Sequence, residues 1–151
     1  MRTYAIYNSA AVGSASFPQL GIYQAGAASL VRPRIFEFLI SSSATPADQA
    51  SRFTVNRFTT AAPTGGGAIT TVVYDFADPA STLTGYGSAT GGCTLSTQLM
   101  TVSVNLRATF RWVSVPGREV VVPVTQYAGA GLVSAAQSAA YNEDLTLIWD
   151  E

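Results

Sequence analysis

The sequence predicts an all-β fold, an antiparallel β-sandwich with at most one or two short helical turns, and three observations carry that prediction. Runs rich in β-branched and aromatic residues recur along the chain and end at Gly, Pro, Ser and Asn clusters, the usual punctuation of strands. The runs are spaced by about ten residues, the rhythm of a sandwich. Helical periodicity is scarce throughout.

The first run is 3–7, and the Ala- and Ser-rich stretch that follows it leaves two readings open: a first strand, or an N-terminal arm over about residues 1–17 that crosses to a neighbour. Runs at 17–23 and 34–41 follow. Thr45-Pro46-Ala47-Asp48 then places an N-cap threonine before a first-turn proline and an acid, which predicts one short helical turn. Further strands are expected at 53–59 and 69–74, with Gly65-Gly66-Gly67 and the stretch 83–92 as flexible connections. In 98–106, Met100, Val102, Val104 and Leu106 alternate with Thr101, Ser103 and Asn105, a period of two that turns one face to a core. The run 108–115 sets Phe110 and Trp112 opposite Arg111 and Val113, and Pro116-Gly117 leads into 119–125, so the two read as a hairpin. Pro123 lacks a ladder donor and places the second arm at a sheet edge or bulge. A run at 131–135, a helix or loop over 134–140, a solvated turn at Asn142-Glu143-Asp144 and a final strand at 145–149 complete the chain.

At 151 residues the chain is the size of one domain, 1–151, able to bury roughly 70% of its unfolded surface without a disulfide or metal. Its charge is sparse: 11% of residues are ionised, against about 25% in ordinary soluble domains, while 48% are hydrophobic. Such a surface is tiled with small polar residues or covered by other subunits. A net charge of −1 leaves no electrostatic footprint for a phosphate backbone, so nucleic acid is not an expected partner. No apolar stretch reaches the roughly 18 residues of a membrane helix, and the first eight residues make a poor secretory signal.

Every basic side chain is an arginine, with no lysine and no histidine. The chain therefore lacks the commonest general base and the Schiff-base or phosphate-loop amine, and its serines lack the usual activating partner. Arginine instead suits planar, bidentate contacts across interfaces. Arg32 and Arg34 bracket a stiffening proline at a strand start, Arg111 lies near the start of the expected strand 108–115, and Arg118 sits beside the Pro116-Gly117 turn; these four are the candidate interface residues. Glu37 and Glu119, the acids inside expected strands, are expected to pair with arginine, Glu37 with Arg34, Arg57 or Arg111, in preference to working as a glycosidase pair. Asp75, Asp78, Glu143 and Asp144 are closely spaced carboxylates without calcium-loop spacing and read as turn residues. The lone Cys93 reads as a small filler residue. Tyr4, Tyr7, Tyr23, Tyr86 and Tyr127 are candidates for a sugar-stacking platform, or else for core and subunit contacts.

The segment 31–80, with Arg32-Pro33-Arg34-Ile35-Phe36-Glu37, Ala44-Thr45-Pro46-Ala47-Asp48, Gly65-Gly66-Gly67 and Asp78-Pro79-Ala80, resembles small virion proteins of tailed bacteriophages. Arg107-Ala108-Thr109-Phe110-Arg111-Trp112 and Pro116-Gly117-Arg118-Glu119 continue the likeness. The resemblance implies a jelly-roll-like capsid decoration, or cement, protein on the virion's outer surface, usually a homotrimer, whose partners are itself and the major capsid protein. It implies no catalytic residue and no cofactor. The alternatives are a neck, tail or baseplate component, or a carbohydrate-binding β-sandwich module.

Overall fold

The computed structural model describes residues 1–11, 16–27, 31–134 and 141–151, which form an all-β sandwich of two antiparallel sheets without a helix among them. Sheet A runs, in spatial order, from an edge made jointly of β9 (Phe110–Val113) and β10 (Val120–Val121) through β3 (Arg34–Ser43), β12 (Asn142–Asp150) and β1 (Thr3–Ala11) to β6 (Val72–Val73). Sheet B runs β5 (Gly67–Ile69), β7 (Thr84–Gly87), β2 (Leu20–Tyr23), β11 (Gly129–Ser134), β4 (Ala50–Thr59), β8 (Thr94–Asn105). From β1 to β4 the chain alternates between sheets, and from β8 through β9 and β10, β11 and β12 it does so again. That wrapping is a jelly roll, with β5, β6 and β7 added at its edges.

Period-two alternation builds the core. Tyr4, Ile6, Phe38, Ile40, Leu145, Leu147 and Trp149 of sheet A meet Leu20, Ile22, Phe53, Val55, Ala130 and Leu132 of sheet B, all almost fully buried. Trp149 stacks on Tyr4 at 5.7 Å between ring centroids, and Phe38 packs on Trp112 at 5.2 Å. The outer face of sheet B carries a second, smaller core in which Phe58, Tyr23 and Cys93 are buried. Small residues make room for it: a Cβ on Gly21 or Gly129 would stand 3.1 Å or 2.4 Å from the Phe58 ring.

Several expectations change. Thr3–Ala11 is the first strand, paired along its whole length with β12, so the arm reading of residues 1–17 gives way over those residues. No helical turn forms at Thr45; the segment after Ala44, whose φ is 67°, is an irregular turn closed by Gln49 N–H donating to the Ala47 carbonyl. The expected strand 69–74 splits between the two sheets as β5 and β6. The expected connection 83–92 contains β7, whose Gly85 and Gly87 carry no side-chain signal of a strand but let Ile6, Ile69 and Asn8 lie against its backbone. Gly65-Gly66-Gly67 is likewise structured, with Gly65 at φ 80° and Gly67 opening β5.

The 108–125 region is not a hairpin. β9 and β10 do not pair with each other: both run antiparallel to β3, β9 along Glu37 to Ile40 and β10 along Arg34 and Ile35. They form one edge strand interrupted by a loop, in which Arg118 N–H donates to the Val115 carbonyl and Gly117 takes φ 83°. Pro and Gly at the two central positions specify that turn without specifying a strand reversal. Pro123 does lie beyond the edge, and Val122 is fully buried. β11 spans Gly129–Ser134, and the remaining expectations over 135–140 fall outside the described residues.

Candidate interaction surface

The register of sheet A defines its outer face, because directly paired residues point to the same side. One row across the sheet is Val113, Glu37, Ile148, Ala5 and Val72. The next is Arg111, Leu39, Thr146 and Tyr7, and the two rows together are flanked by Arg34, Asp150 and Thr3 beyond the first and by Ser41, Asp144 and Ser9 beyond the second. Tyr7 is 65% exposed, Val113 50% and Val72 46%, and Tyr74, Phe76 and Val115 stand exposed around the rim. Exposed apolar side chains on a broad sheet face suit a protein contact, and here they stand among charged residues of both signs, Glu37, Arg111, Arg34, Asp150 and Asp144.

A bulge decides what this face displays. Ile148 pairs with Glu37 but Trp149 pairs with Ile35, so Phe36 is an extra residue in β3. Without it, Glu37 would share Ile35's side and point into the core. With it, Glu37 faces outward and meets the guanidinium of Arg111, whose Nε and Nη2 donate to its two carboxylate oxygens at 2.6 and 3.0 Å. Of the three arginines open to Glu37, the structure selects Arg111, and the bidentate bond holds the Arg111 pKa above its usual value. Glu37 is buried while Arg111 is exposed. Arg111→Ala is therefore expected to lower thermal stability by leaving a buried carboxylate without its cation, and Glu37→Gln in the same chain to restore part of the loss, as read in a melting-temperature cycle.

The four candidate arginines divide. Arg34 and Arg111 belong to the outer face of sheet A. Arg32 is exposed in the segment that leads into β3. Arg118 lies in the edge loop at the mouth of a lateral groove of about 370 Å³, between β8 and the β9/β10 edge, lined also by Leu99, Met100, Trp112 and Val120. Glu119 in that loop accepts the Gly117 N–H, which with its own backbone N–H and the charge of Arg34 holds its carboxyl below the usual range.

Of the five tyrosines considered for sugar stacking, Tyr4 and Tyr23 are buried, Tyr86 and Tyr127 are half-buried, and Tyr7 alone is exposed. Tyr7 and Tyr74, the latter not singled out from the sequence, line an apolar trough of about 400 Å³ with Ala5, Val72 and Thr146. Cys93 packs against Tyr23 and Phe58, and burial pushes its thiol up, away from the reactive thiolate. Asp75 accepts the Ala77 N–H within its turn, Asp78 faces Arg2 at 3.5 Å, and Asp144 accepts the Ser9 hydroxyl. Among the described residues no three His, Cys, Asp or Glu side chains gather to hold a metal.

Glu143 departs most from expectation. It lies inside β12, 3% exposed, on the core side with Leu145 and Leu147, not in a solvated turn. The Tyr141 hydroxyl bridges it to Ser51 of the opposing sheet at 3.2 and 3.1 Å. Burial pushes the Glu143 carboxyl above the usual range and, with the neighbouring carboxylate, the Tyr141 phenol to about 12. A carboxyl whose folded pKa exceeds its unfolded one binds protons more tightly in the native state, so its contribution is present at low pH and is lost as pH rises through the folded value. Glu143→Gln is expected to remove that loss. In denaturant titrations its stability relative to wild type should grow with pH over that interval by up to about 1.4 kcal/mol per unit, then level off. A difference independent of pH would contradict the assignment.

Comparison with protein-family models, with curated proteins and with solved structures finds no match to this chain.

Proposed function

We propose that this is a non-enzymatic structural protein of a virion, decorating the outer capsid and stabilising it by bridging neighbouring capsid subunits. The observation that carries the reading is the outer face of sheet A, where Tyr7, Val72 and Val113 are exposed beside the Glu37–Arg111 ion pair. A surface of that kind works by contact. A decoration protein holds a lattice by binding it better than the unassembled or precursor form, and several simultaneous contacts add avidity. The jelly roll serves capsid domains and lectins alike, so it agrees with the role by fold analogy only. The sequence resemblance adds the expectation of a homotrimer contacting the major capsid protein; the interface candidates Arg32, Arg34, Arg111 and Arg118 rest on the chemistry of arginine, and of these Arg34 and Arg111 lie on the outer face of sheet A.

The test is binding of the purified protein to expanded and to precursor capsid shells. Expanded shells should retain it, and Tyr7→Asp with Val113→Asp, both exposed positions, should weaken retention by about 100-fold, roughly 2.7 kcal/mol, with the fold intact. Equal retention of wild type and variant, or none by either shell, would overturn the reading. Labelling confined to the tail axis would favour a neck, tail or baseplate position. A second reading rests on the trough between Tyr7 and Tyr74, an aromatic-lined surface suited to a sugar ring; a glycan array without binding removes it.

A further inference from the structure

The two sheets have four edges among the described residues, and three of them are short or broken. β5 offers three residues, β6 two, and the β9/β10 edge is interrupted by the Val115 to Glu119 loop with Pro116 in it and Pro123 just beyond. The fourth is β8, twelve residues of sequence TLSTQLMTVSVN that pair with β4 on one side and with no described strand on the other. It contains no charge, no proline and no glycine. An exposed edge is normally blunted by lysine, proline, inward charge or brevity, because its free N–H and C=O groups template another strand. β8 uses only bulges, and these are confined to its first half: Gln98 pairs with Asn56 and Leu95 with Phe58, leaving Leu99 and the Ser96–Thr97 pair partly out of step. From Met100 to Asn105 the ladder is regular.

We propose that the Met100 to Asn105 edge is a strand-addition site occupied by the same edge of a second copy of this chain, related by a two-fold axis. Antiparallel pairing centred on Val102 sets Val102 opposite itself, Met100 opposite Val104 and Thr101 opposite Ser103. That register keeps the core-facing residues of both copies on one side of a continuous sheet and the hydroxyl residues on the other. The occupant is a second copy because the strand is complementary to itself. It is neutral, so no like charges meet, and Met100 and Val102, half-exposed in the single chain, gain apolar neighbours from the partner. The pairing is closed, since a two-fold contact uses both edges at once. It is independent of the capsid reading and compatible with any symmetric unit formed through other faces: monomers become dimers, and trimers become pairs of trimers.

Light scattering of wild type and of the Thr101→Lys, Ser103→Lys double variant tests this. Both positions are exposed, and the register places lysine opposite lysine, which opposes pairing without touching the core. The expected result is a wild-type mass twice that of the variant, with the wild-type mass falling to the variant's on dilution. Hydrogen exchange provides the second reading: amides of residues 100–105 should be slower in wild type at high concentration than at low, and uniformly fast in the variant. Equal masses, or exchange at 100–105 that does not depend on concentration, would overturn the proposal. Loss of shell binding in either protein leaves this outcome unchanged, so the two proposals fail separately.

Discussion

Replacing Trp149 with alanine is expected to cost about 3–5 kcal/mol, lowering the unfolding midpoint by on the order of 10 °C for a chain of this length. Trp149 is fully buried in β12, between β1 and β3, and its ring stacks on Tyr4. Removing the indole opens a cavity in a region where strands on both sides are fixed by ladders, so the walls cannot collapse to fill it. The indole N–H also donates to the Glu151 carboxylate, which in turn accepts hydrogen bonds from Ser81 and Thr82 and so ties the loop before β7 to the end of β12. Trp149→Phe should therefore recover most of the packing but not this tie. A cost for Trp149→Ala below about 1 kcal/mol in denaturant titration would mean that the sheets are not packed as described.

The second large effect is expected from a single added methyl group. Gly131→Ala places a Cβ 2.3 Å from the Leu20 carbonyl oxygen and 2.7 Å from the Gly21 Cα, both backbone atoms of the adjacent strand. A flexible side chain could move aside, but β2 is held by β7 on its far side, so the β2–β11 pairing itself must separate. The expected cost is about 3 kcal/mol, at the upper end for overpacking, with loss of folded protein on expression. Gly117→Ala provides the contrast: nothing lies near its Cβ, and its cost is limited to the positive φ of a surface turn. If Gly131→Ala melted no lower than Gly117→Ala, the close approach of β2 and β11 would be wrong.

The strands that announced themselves were those whose two faces meet different environments. Met100, Val102 and Val104 against Thr101, Ser103 and Asn105 gave β8, and Leu145, Leu147 and Trp149 gave β12, because one face of each meets the core. β7 was silent for the opposite reason: Gly85 and Gly87 serve by carrying nothing. The edge made of β9 and β10 was misread because a Pro-Gly turn signals where the chain bends and not which strand receives it afterwards; the answer lies in β3, far away in sequence. Glu143 was misread because an asparagine followed by two acids is usually solvated, and its burial depends on Tyr141 and on Ser51 from the opposing sheet. For the surface, residue type was legible and direction was not. The pairing of Glu37 with an arginine followed from sparse charge among apolar neighbours, whereas its placement on the outer face depends on the bulge at Phe36, which no periodicity announces.

β12, the last strand in the chain, stands between β1 and β3, the first and second strands of sheet A in chain order. Until Asn142–Asp150 has been synthesised, β1 and β3 have no shared neighbour, and the buried faces of Tyr4, Ile6, Phe38 and Ile40 have no floor. Closing sheet A then joins residues as distant as Thr3 and Asp150, so the loop-closure entropy of nearly the whole chain precedes any reward from packing. The sandwich therefore cannot close until β12 is available to join β1 to β3. Folding is accordingly expected on the millisecond-to-second timescale of non-local β folds.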